Sequence, residues 1–314
     1  MGVVRDGALE ALHCGHIAVV NADGDLLAGA GVADTVIYPR SALKPFQAAA
    51  CLHLADDMPP AVDELAMIAA SHTGSRTHQA VVLRLLERAG VAPGALRCPH
   101  TLPTDAAALR ERPAPTRLAH ACSGKHAGFL LATRRANGEP ERYLAEDSPV
   151  QQEVLRRVRD ACDTEPEGPA VDGCGAPAWR LPLVALARGY ARVAAEDGLL
   201  GPVAEAMRTY PNLVGGQGLV DTELMAADGR ITAKRGAEAA LGIAVRDRGR
   251  TLGVAIKITD GGARAMGPVA GAVLTRLGVR VPPALARPAV LGGGLPHGAL
   301  EVTSALREAL DGLA

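Results

Sequence analysis

The sequence predicts an α/β fold in which an antiparallel sheet is flanked by helices and accompanied by a helical region. Short apolar runs joined by glycine-containing turns predict antiparallel strands, and apolar residues at helical spacing predict the helices. The 314 residues contain no internal repeat and no low-complexity linker, so we expect one compact structural unit over residues 1–314. Apolar residues make up 48% of the chain and aromatic residues 2%, so alanine, valine and leucine must build the core.

Two hairpins supply most of the predicted sheet. Asp23-Gly24 stands between apolar runs, which is a strong signal for a hairpin turn, and Gly249 stands between two further runs. A short strand is also predicted before the second hairpin. The predicted strands are 16–21, 25–31, 231–233, 240–245 and 252–258, with turns at 22–24 and 246–250.

Helices are predicted where apolar residues recur on one face, most clearly at 78–88. Residues 92–117 are rich in proline and alanine and are predicted to be irregular, while 163–172 and 211–218 are predicted to be connections. The predicted helices are 45–55, 61–70, 78–88, 125–136, 149–161, 181–193 and about 263–277.

Charge and composition exclude several classes of partner. The 33 basic and 34 acidic residues give a net charge of −1, and no basic stripe is present, so nucleic acid is not an expected partner. No apolar run approaches 18 residues and the first residues lack a signal-peptide core, so we expect a cytoplasmic protein without a membrane partner. The six cysteines are then expected to be reduced.

A Ser-x-x-Lys pattern, Ser41 to Lys44, follows a strand-like segment and precedes an apolar run. At the mouth of a helix these two side chains lie on one face, where a neutral lysine amine can take the serine proton. Burial and the positive end of the helix dipole both favour the neutral amine. The alternative is that Ser41 is only a helix N-cap and Lys44 a solvated side chain.

Other segments place small, polar or reactive residues where a plain fold needs none. Cys122-x-x-Lys125 puts a thiolate and an amine at a helix start, and Cys174 lies in a glycine-rich turn. Two thiolates with a nitrogen and a water fit a four-coordinate zinc site. The residues alone favour His120 or His126 as the nitrogen ligand, and the alternative is that both cysteines are buried small apolar side chains.

The order of these motifs resembles that of serine β-lactamases and penicillin-binding proteins. There, Ser-x-x-Lys opens a helix and Lys-Thr-Gly lies on a strand edge, as Lys234-Arg235-Gly236 does before the second hairpin. Arg235 replaces the small hydroxyl residue, and no convincing Ser-Asp-Asn is present.

A fuller resemblance is to the rhizobial-type, class 3 L-asparaginases, whose fold is similar to that of serine β-lactamases and glutaminases. Six blocks occur in that family's order and span most of the chain. They are 38–47, 71–74, 122–128, 172–175, 234–238 and 256–261.

This resemblance implies two neighbouring Ser-Lys pairs, a zinc site completed by water, L-asparagine as substrate, and a homodimer. The first pair is Ser41 with Lys44, and the second is Ser71 with Lys234. The implied catalytic residues are Ser41, Lys44, Ser71 and Lys234, the substrate-binding residues Arg40, His72, Asp172 and Gly173, and the metal ligands Cys122, Lys125 and Cys174.

We therefore expect an amidohydrolase that splits L-asparagine into L-aspartate and ammonia. Ser41, deprotonated by Lys44, is the favoured nucleophile, although Ser71 is the alternative. Zn²⁺ is expected to tune substrate position and affinity rather than generate the attacking hydroxide. Two rival functions stay open, namely another β-lactamase-like serine acylase or peptidase, and a zinc-dependent ligand-binding protein without turnover.

Overall fold

A computed structural model describes residues 1–111, 113–247 and 249–313. Its strands lie mainly at the two ends of the chain. They are β1 (Gly2–Arg5), β2 (Ala8–Leu12), β3 (Gly15–Val20), β4 (Leu26–Ala30), β5 (Val36–Ile37), β6 (Glu167–Val171), β7 (Pro177–Pro182), β8 (Ile231–Gly236), β9 (Ala240–Asp247), β10 (Arg250–Ile258), β11 (Ala289–Gly292) and β12 (Leu295–Glu301).

Helices dominate the middle of the chain. None of them, within the described residues, has the length and apolar character needed to cross a membrane. They are α1 (Lys44–Leu54), α2 (Val62–Ile68), α3 (Arg76–Arg88), α4 (Ala106–Arg110), α5 (Ser123–Arg135), α6 (Pro149–Cys162), α7 (Leu183–Ala195), α8 (Leu200–Thr209), α9 (Pro211–Val214), α10 (Val220–Ala227), α11 (Met266–Arg276), α12 (Pro283–Ala286) and α13 (Ser304–Ala309).

Two units interleave along the sequence, and neither is a continuous stretch of chain. The first unit comprises Met1–Ala42, Leu181–Ala195 and Glu223–Ala314, and the second comprises Leu43–Arg180 and Glu196–Thr222. The first contains the large sheets, whereas the second is mainly helical. The predicted α/β class, with an antiparallel sheet flanked by helices plus a helical region, is confirmed, while the single structural unit over 1–314 stays a prediction.

The main sheet of the first unit has the strand order β4-β3-β10-β9-β8, and every neighbouring pair is antiparallel. Both predicted hairpins are therefore present, as β3–β4 and β9–β10. The second turn, predicted at 246–250, includes Arg248, which lies outside the described residues. A second antiparallel sheet, in the order β11-β12-β1-β2, joins strands from the two ends of the chain.

Helix α7 packs closely on this main sheet because two strand residues lack a side chain. A Cβ on Gly253 of β10 would lie 1.9 Å from the carbonyl oxygen of Ala187 and 2.4 Å from the nitrogen of Ala191. A Cβ on Gly242 of β9 would lie 1.9 Å from the ring of Tyr190. The glycines thus set the distance between α7 and the sheet.

Several local predictions were wrong. Residues 167–171, predicted as part of a connection, form β6. The strand is stabilised by pairing with β7, which the local Gly-Pro sequence does not indicate. The helix predicted at 181–193 begins at Leu183, since β7 extends to Pro182. Part of the predicted loop 211–218 forms α9. The irregular stretch predicted at 92–117 contains α4 and includes Arg112, which lies outside the described residues.

Ser41 is not an N-cap, so that alternative was wrong. The N-cap of α1 is Leu43, which makes no side-chain capping bond, and Ser41 lies in a 3₁₀ turn formed by Arg40–Leu43. The α-helix therefore begins at Lys44, one residue before the predicted start at 45. Ser41 and Lys44 do not share an α-helical face.

The glycine contact under α7 gives a stability prediction. We expect Gly253→Ala to lower the free energy of unfolding by about 3 kcal/mol, because the added methyl group would meet main-chain atoms that cannot move aside. Gly229→Ala is the matched control, since a Cβ there meets no atom within 4 Å. Chemical denaturation of both variants measures the difference, and equal stabilities would contradict this account of the packing.

Candidate functional site

The turn that carries Ser41 is strained and is held by tertiary contacts of the first unit. Arg40 has a φ of +54°, in the left-handed region that costs a residue with a Cβ about 1–2 kcal/mol. The hydroxyl of Tyr190 donates a hydrogen bond of 2.7 Å to the carbonyl oxygen of Ala42. Backbone strain of this kind persists only where the surroundings impose it, and it is frequent at active sites. Ser41 itself is half-buried.

Strand β8 brings Lys234 towards the same turn. A Cβ on Gly236 would lie 2.2 Å from the carbonyl oxygen of Pro39, so the end of β8 runs directly against the backbone beside Ser41. Lys234 lies two residues earlier on the same face of the strand and is fully buried. Its amine donates a 3.0 Å hydrogen bond to the carbonyl oxygen of Arg235.

In the second unit, the amine of Lys44 lies among three acceptors. It donates hydrogen bonds to the carbonyl oxygen of Ala70, to the hydroxyl of Ser71 at 2.9 Å and to the sulfur of Cys122 at 3.4 Å. The side chain is almost completely buried, with the residue 1% exposed. Lys44 therefore contacts a predicted catalytic serine and a predicted metal ligand at once.

Burial lowers the pKa of Lys44, and it is the largest influence on that amine. The nearby sulfurs of Cys122 and Cys174 oppose the shift, whereas the positive charge of Lys125 adds to it. A lower pKa increases the neutral fraction of the amine, which is the form that can accept a proton from Ser71. This is the environment expected of a lysine general base.

The Ser71 segment is held on both sides by hydrogen bonds of the second unit. The Ser71 N–H donates to the carbonyl oxygen of Val214 at 2.8 Å. The next residue, His72, accepts a hydrogen bond from the Gly74 N–H on Nδ1 at 3.1 Å, so the ring proton is on Nε2. The Nε2 atom lies 3.0 Å from the hydroxyl of Ser123. Burial lowers the pKa of His72 well below its usual value, which keeps the ring neutral.

Two glycines of α5 allow α2 to approach closely. A Cβ on Gly124 would lie 2.3 Å from the carbonyl oxygen of Met67, and a Cβ on Gly128 would lie 2.7 Å from the side chain of Ile68. Because Ser71 follows α2 by three residues, this contact places it beside the start of α5. The glycines of the 122–128 block therefore have a packing role.

Cys122 and Cys174 lie close enough to share a hydrogen bond. The bond from Cys174 lowers the pKa of Cys122 and, together with burial, raises that of Cys174, so one thiolate forms before the other. Lys125 donates to the sulfur of Cys174 at 3.2 Å, and the Cys174 N–H donates to the carboxylate of Asp172 at 3.1 Å. Burial alone would lower the pKa of Lys125, but the two sulfurs outweigh it and raise that pKa.

These three side chains fit zinc by the chemistry of their donor atoms. Two sulfurs and one nitrogen leave a fourth position for water or substrate. Within the described residues no group of three or more His, Cys, Asp and Glu side chains could hold a metal, so the set depends on the Lys125 amine. Metal binding there must displace the lysine proton.

The predicted site residues divide between the two units. Lys44 lies beside Ser71 and Cys122, and Lys125 lies beside Cys174. The predicted pairs Ser41–Lys44 and Ser71–Lys234 each join residues of different units, so they stay predictions. The first unit contains Arg40, Ser41 and Lys234, and the second contains Lys44, Ser71, His72, Cys122, Lys125, Asp172, Gly173 and Cys174.

Sequence reasoning missed the residues that position this site. Tyr190 lies in ordinary helical sequence, and Ser123 lies in the 122–128 block without an assigned role, so only their hydrogen bonds reveal one. The two histidines considered as metal ligands have other partners. His126 shares a 2.6 Å hydrogen bond with the hydroxyl of Tyr143, and His120 accepts the Cys122 N–H at 3.0 Å.

Comparisons with known proteins place the chain in a family. A structure from Bacteroides dorei DSM 17855, described as a "putative beta-lactamase", is 15% identical with a TM-score of 0.44, over 80% of this chain and 90% of that one. The native form of Mglu is 16% identical with a TM-score of 0.33, over 78% of this chain and 59% of that one. Comparison with curated protein sequences gives no significant match. The family model for L-asparaginase II matches residues 1–302, and the chain therefore belongs to the L-asparaginase II family.

Proposed function

We propose that this protein hydrolyses the side-chain amide of L-asparagine to L-aspartate and ammonia through a lysine-activated serine. Membership of the L-asparaginase II family supports an asparaginase-type amidohydrolase. The observation that carries the serine mechanism is the buried Lys44 amine, 2.9 Å from the Ser71 hydroxyl and with a lowered pKa. A buried amine of this kind is suited to serve as a base.

Ser41 is the proposed nucleophile because it lies in a strained turn and is half-buried, whereas Ser71 is only 5% exposed. Its oxygen attacks the amide carbon, and its proton passes through Ser71 and Lys44 to the leaving nitrogen. The carbon–nitrogen bond then breaks and releases ammonia, leaving an ester on the serine. Water adds to the ester carbonyl and releases aspartate, which restores the serine hydroxyl.

Substrate binding needs charges that match an amino acid. Arg40 supplies a guanidinium for a carboxylate, and Asp172 supplies a carboxylate for an ammonium group. Gly173 is exposed and offers its main chain. We propose that His72 acts by positioning Ser71, because both of its ring nitrogens already have partners in the second unit.

Zinc is proposed as a modulator of this site. Cys122, Cys174 and Lys125 would hold it, and the donors fit a four-coordinate ion with one exchangeable position. When bound, zinc supplies a positive charge that fixes the position and affinity of the substrate. Asp172 orders the Cys174 turn by accepting the Cys174 N–H.

The first test is ammonia release from L-asparagine and, separately, L-glutamine by the purified protein. We expect release from asparagine, and we expect Ser41→Ala to lower kcat at least about a thousandfold, because no other group replaces the attacking oxygen. Discrimination against glutamine should be modest, about 10–200-fold, since the two substrates differ by one methylene.

The matched control for this test is Ser304→Ala, which removes a serine hydroxyl at the start of α13. No ammonia from either amide, with folded protein and zinc supplied, would contradict the proposed function. Covalent labelling by a β-lactam would then support the serine acylase alternative, and ligand-dependent thermal stabilisation without product would support the binding-protein alternative.

The contact between Lys44 and Ser71 predicts non-additive kinetics. We expect Lys44→Met and Ser71→Ala each to lower kcat about 10²–10⁴-fold, because each interrupts the same proton transfer. The kcat of the double variant should be within about threefold of the kcat of the less active single variant. Pairing Ser71→Ala with Ser304→Ala instead should give the product of the separate effects. Multiplicative losses for Lys44→Met with Ser71→Ala would contradict a shared step.

Zinc binding is tested by metal content rather than by activity. We expect about one zinc ion per chain in protein purified with zinc, and a large loss in Cys122→Ser and in Cys174→Ser, because serine is a poor zinc ligand. Cys14→Ser, which changes an exposed cysteine of the first unit, is the control and should keep its zinc. Zinc-free wild-type protein, or equal zinc in all variants, would contradict the proposed site.

A further inference from the structure

The turn between β8 and β9 adopts an unusual backbone conformation. Glu238 and Ala239 are consecutive and have φ values of +56° and +53°. Hairpin turns of this kind favour asparagine, aspartate or glycine, because a Cβ disfavours the left-handed region. Neither position is a glycine, so other contacts must hold this turn in place.

Lys257 supplies such contacts from the neighbouring part of the sheet. Its amine donates hydrogen bonds to the carbonyl oxygen of Glu238 at 2.5 Å and to the carbonyl oxygen of the next residue, Ile258, at 2.6 Å. The Ile258 N–H in turn donates to the carbonyl oxygen of Ala239 at 3.1 Å. Lys257 thus ties Glu238 to the end of β10, and the Ile258 N–H ties Ala239 to it. Its described hydrogen bonds go to main-chain carbonyls rather than to a carboxylate.

This turn is connected to the site through the register of the sheet. Lys257 is paired with Ala240 of β9, and Ala240 is paired with Gly236 of β8. Gly236 lies against the carbonyl of Pro39, beside Ser41, with no space for a Cβ. A shift of the turn would therefore move the end of β8 relative to the Ser41 turn and would also move Lys234.

We infer that Lys257 is a positioning residue, which holds the strained β8–β9 turn and thereby sets the end of β8 and Lys234 against the Ser41 turn. This inference rests on the proposed function for its catalytic consequence. The contact of Lys257 with the turn does not depend on the proposed function, since it follows from hydrogen bonds and backbone angles. The flexible lysine reaches two carbonyls that a shorter side chain would leave without this donor.

The experiment compares Lys257→Met, which keeps the length of the side chain but removes its donors, with Lys257→Arg, which keeps donors. Amide hydrogen exchange of residues 236–241, followed by mass spectrometry, reports the turn directly. We expect exchange there to be about 10–100-fold faster in Lys257→Met, because hydrogen bonds to a charged donor are lost. Lys257→Arg should be within about threefold of the wild type. Unchanged exchange in Lys257→Met would overturn the inference.

A second substitution distinguishes relief of strain from general loosening. When Ala239→Gly is introduced into Lys257→Met, exchange of residues 236–241 should become about fivefold slower than in Lys257→Met alone. The reason is that glycine adopts the left-handed region without penalty. Ala237→Gly is the matched control, since Ala237 lies in the same turn without a positive φ. If Ala237→Gly restored protection as well as Ala239→Gly, the strain would not be the cause.

Activity completes the test. With L-asparagine, Lys257→Met should lower kcat about tenfold while KM changes less than about twofold, and Ala239→Gly should restore part of that loss. Faster exchange with an unchanged kcat would overturn the positioning role. If the wild type releases no ammonia while the exchange results hold, the proposed function fails and the hold of Lys257 on the turn stands.

Discussion

The hydrogen bonds of the buried Lys44 amine are the interaction on which the candidate site of the second unit depends. An amine that is removed from water needs acceptors, and this one finds them on Ala70, Ser71 and Cys122. These acceptors belong to two separate segments, one after α2 and one at the start of α5. Satisfying a single amine therefore brings a predicted catalytic serine and a predicted metal ligand together. The burial that makes these acceptors necessary also lowers the pKa of the amine.

Close packing through glycine occurs within each of the two units. Gly124 lets α5 contact the main chain of Met67 near the end of α2, and Gly253 lets α7 contact the main chain of the sheet in the first unit. With few aromatic residues, the core consists largely of aliphatic side chains, and many contacts occur at backbone distance. A site built on such contacts tolerates little displacement, because a backbone cannot change rotamer.

In the first unit, the candidate site residues lie beside backbone segments that are strained and held by hydrogen bonds. Arg40, directly before Ser41, and Glu238 and Ala239, in the turn between β8 and β9, all have left-handed backbone conformations without being glycine. Tyr190 holds the first of these segments and Lys257 holds the second. Both segments meet near Gly236, so the orientation of the Ser41 turn depends on hydrogen bonds made by residues distant in sequence.

The sequence by itself determined the α/β class, the two hairpins and the helix at 78–88, because periodicity and turn residues are local signals. It also indicated the candidate site residues, through blocks that resemble one family. It could not predict β6, the sheet formed from both ends of the chain, or the partners of Lys44, Tyr190 and Lys257. These depend on tertiary structure, because strand pairing, burial and the acceptors of a buried amine are set by residues far apart in sequence.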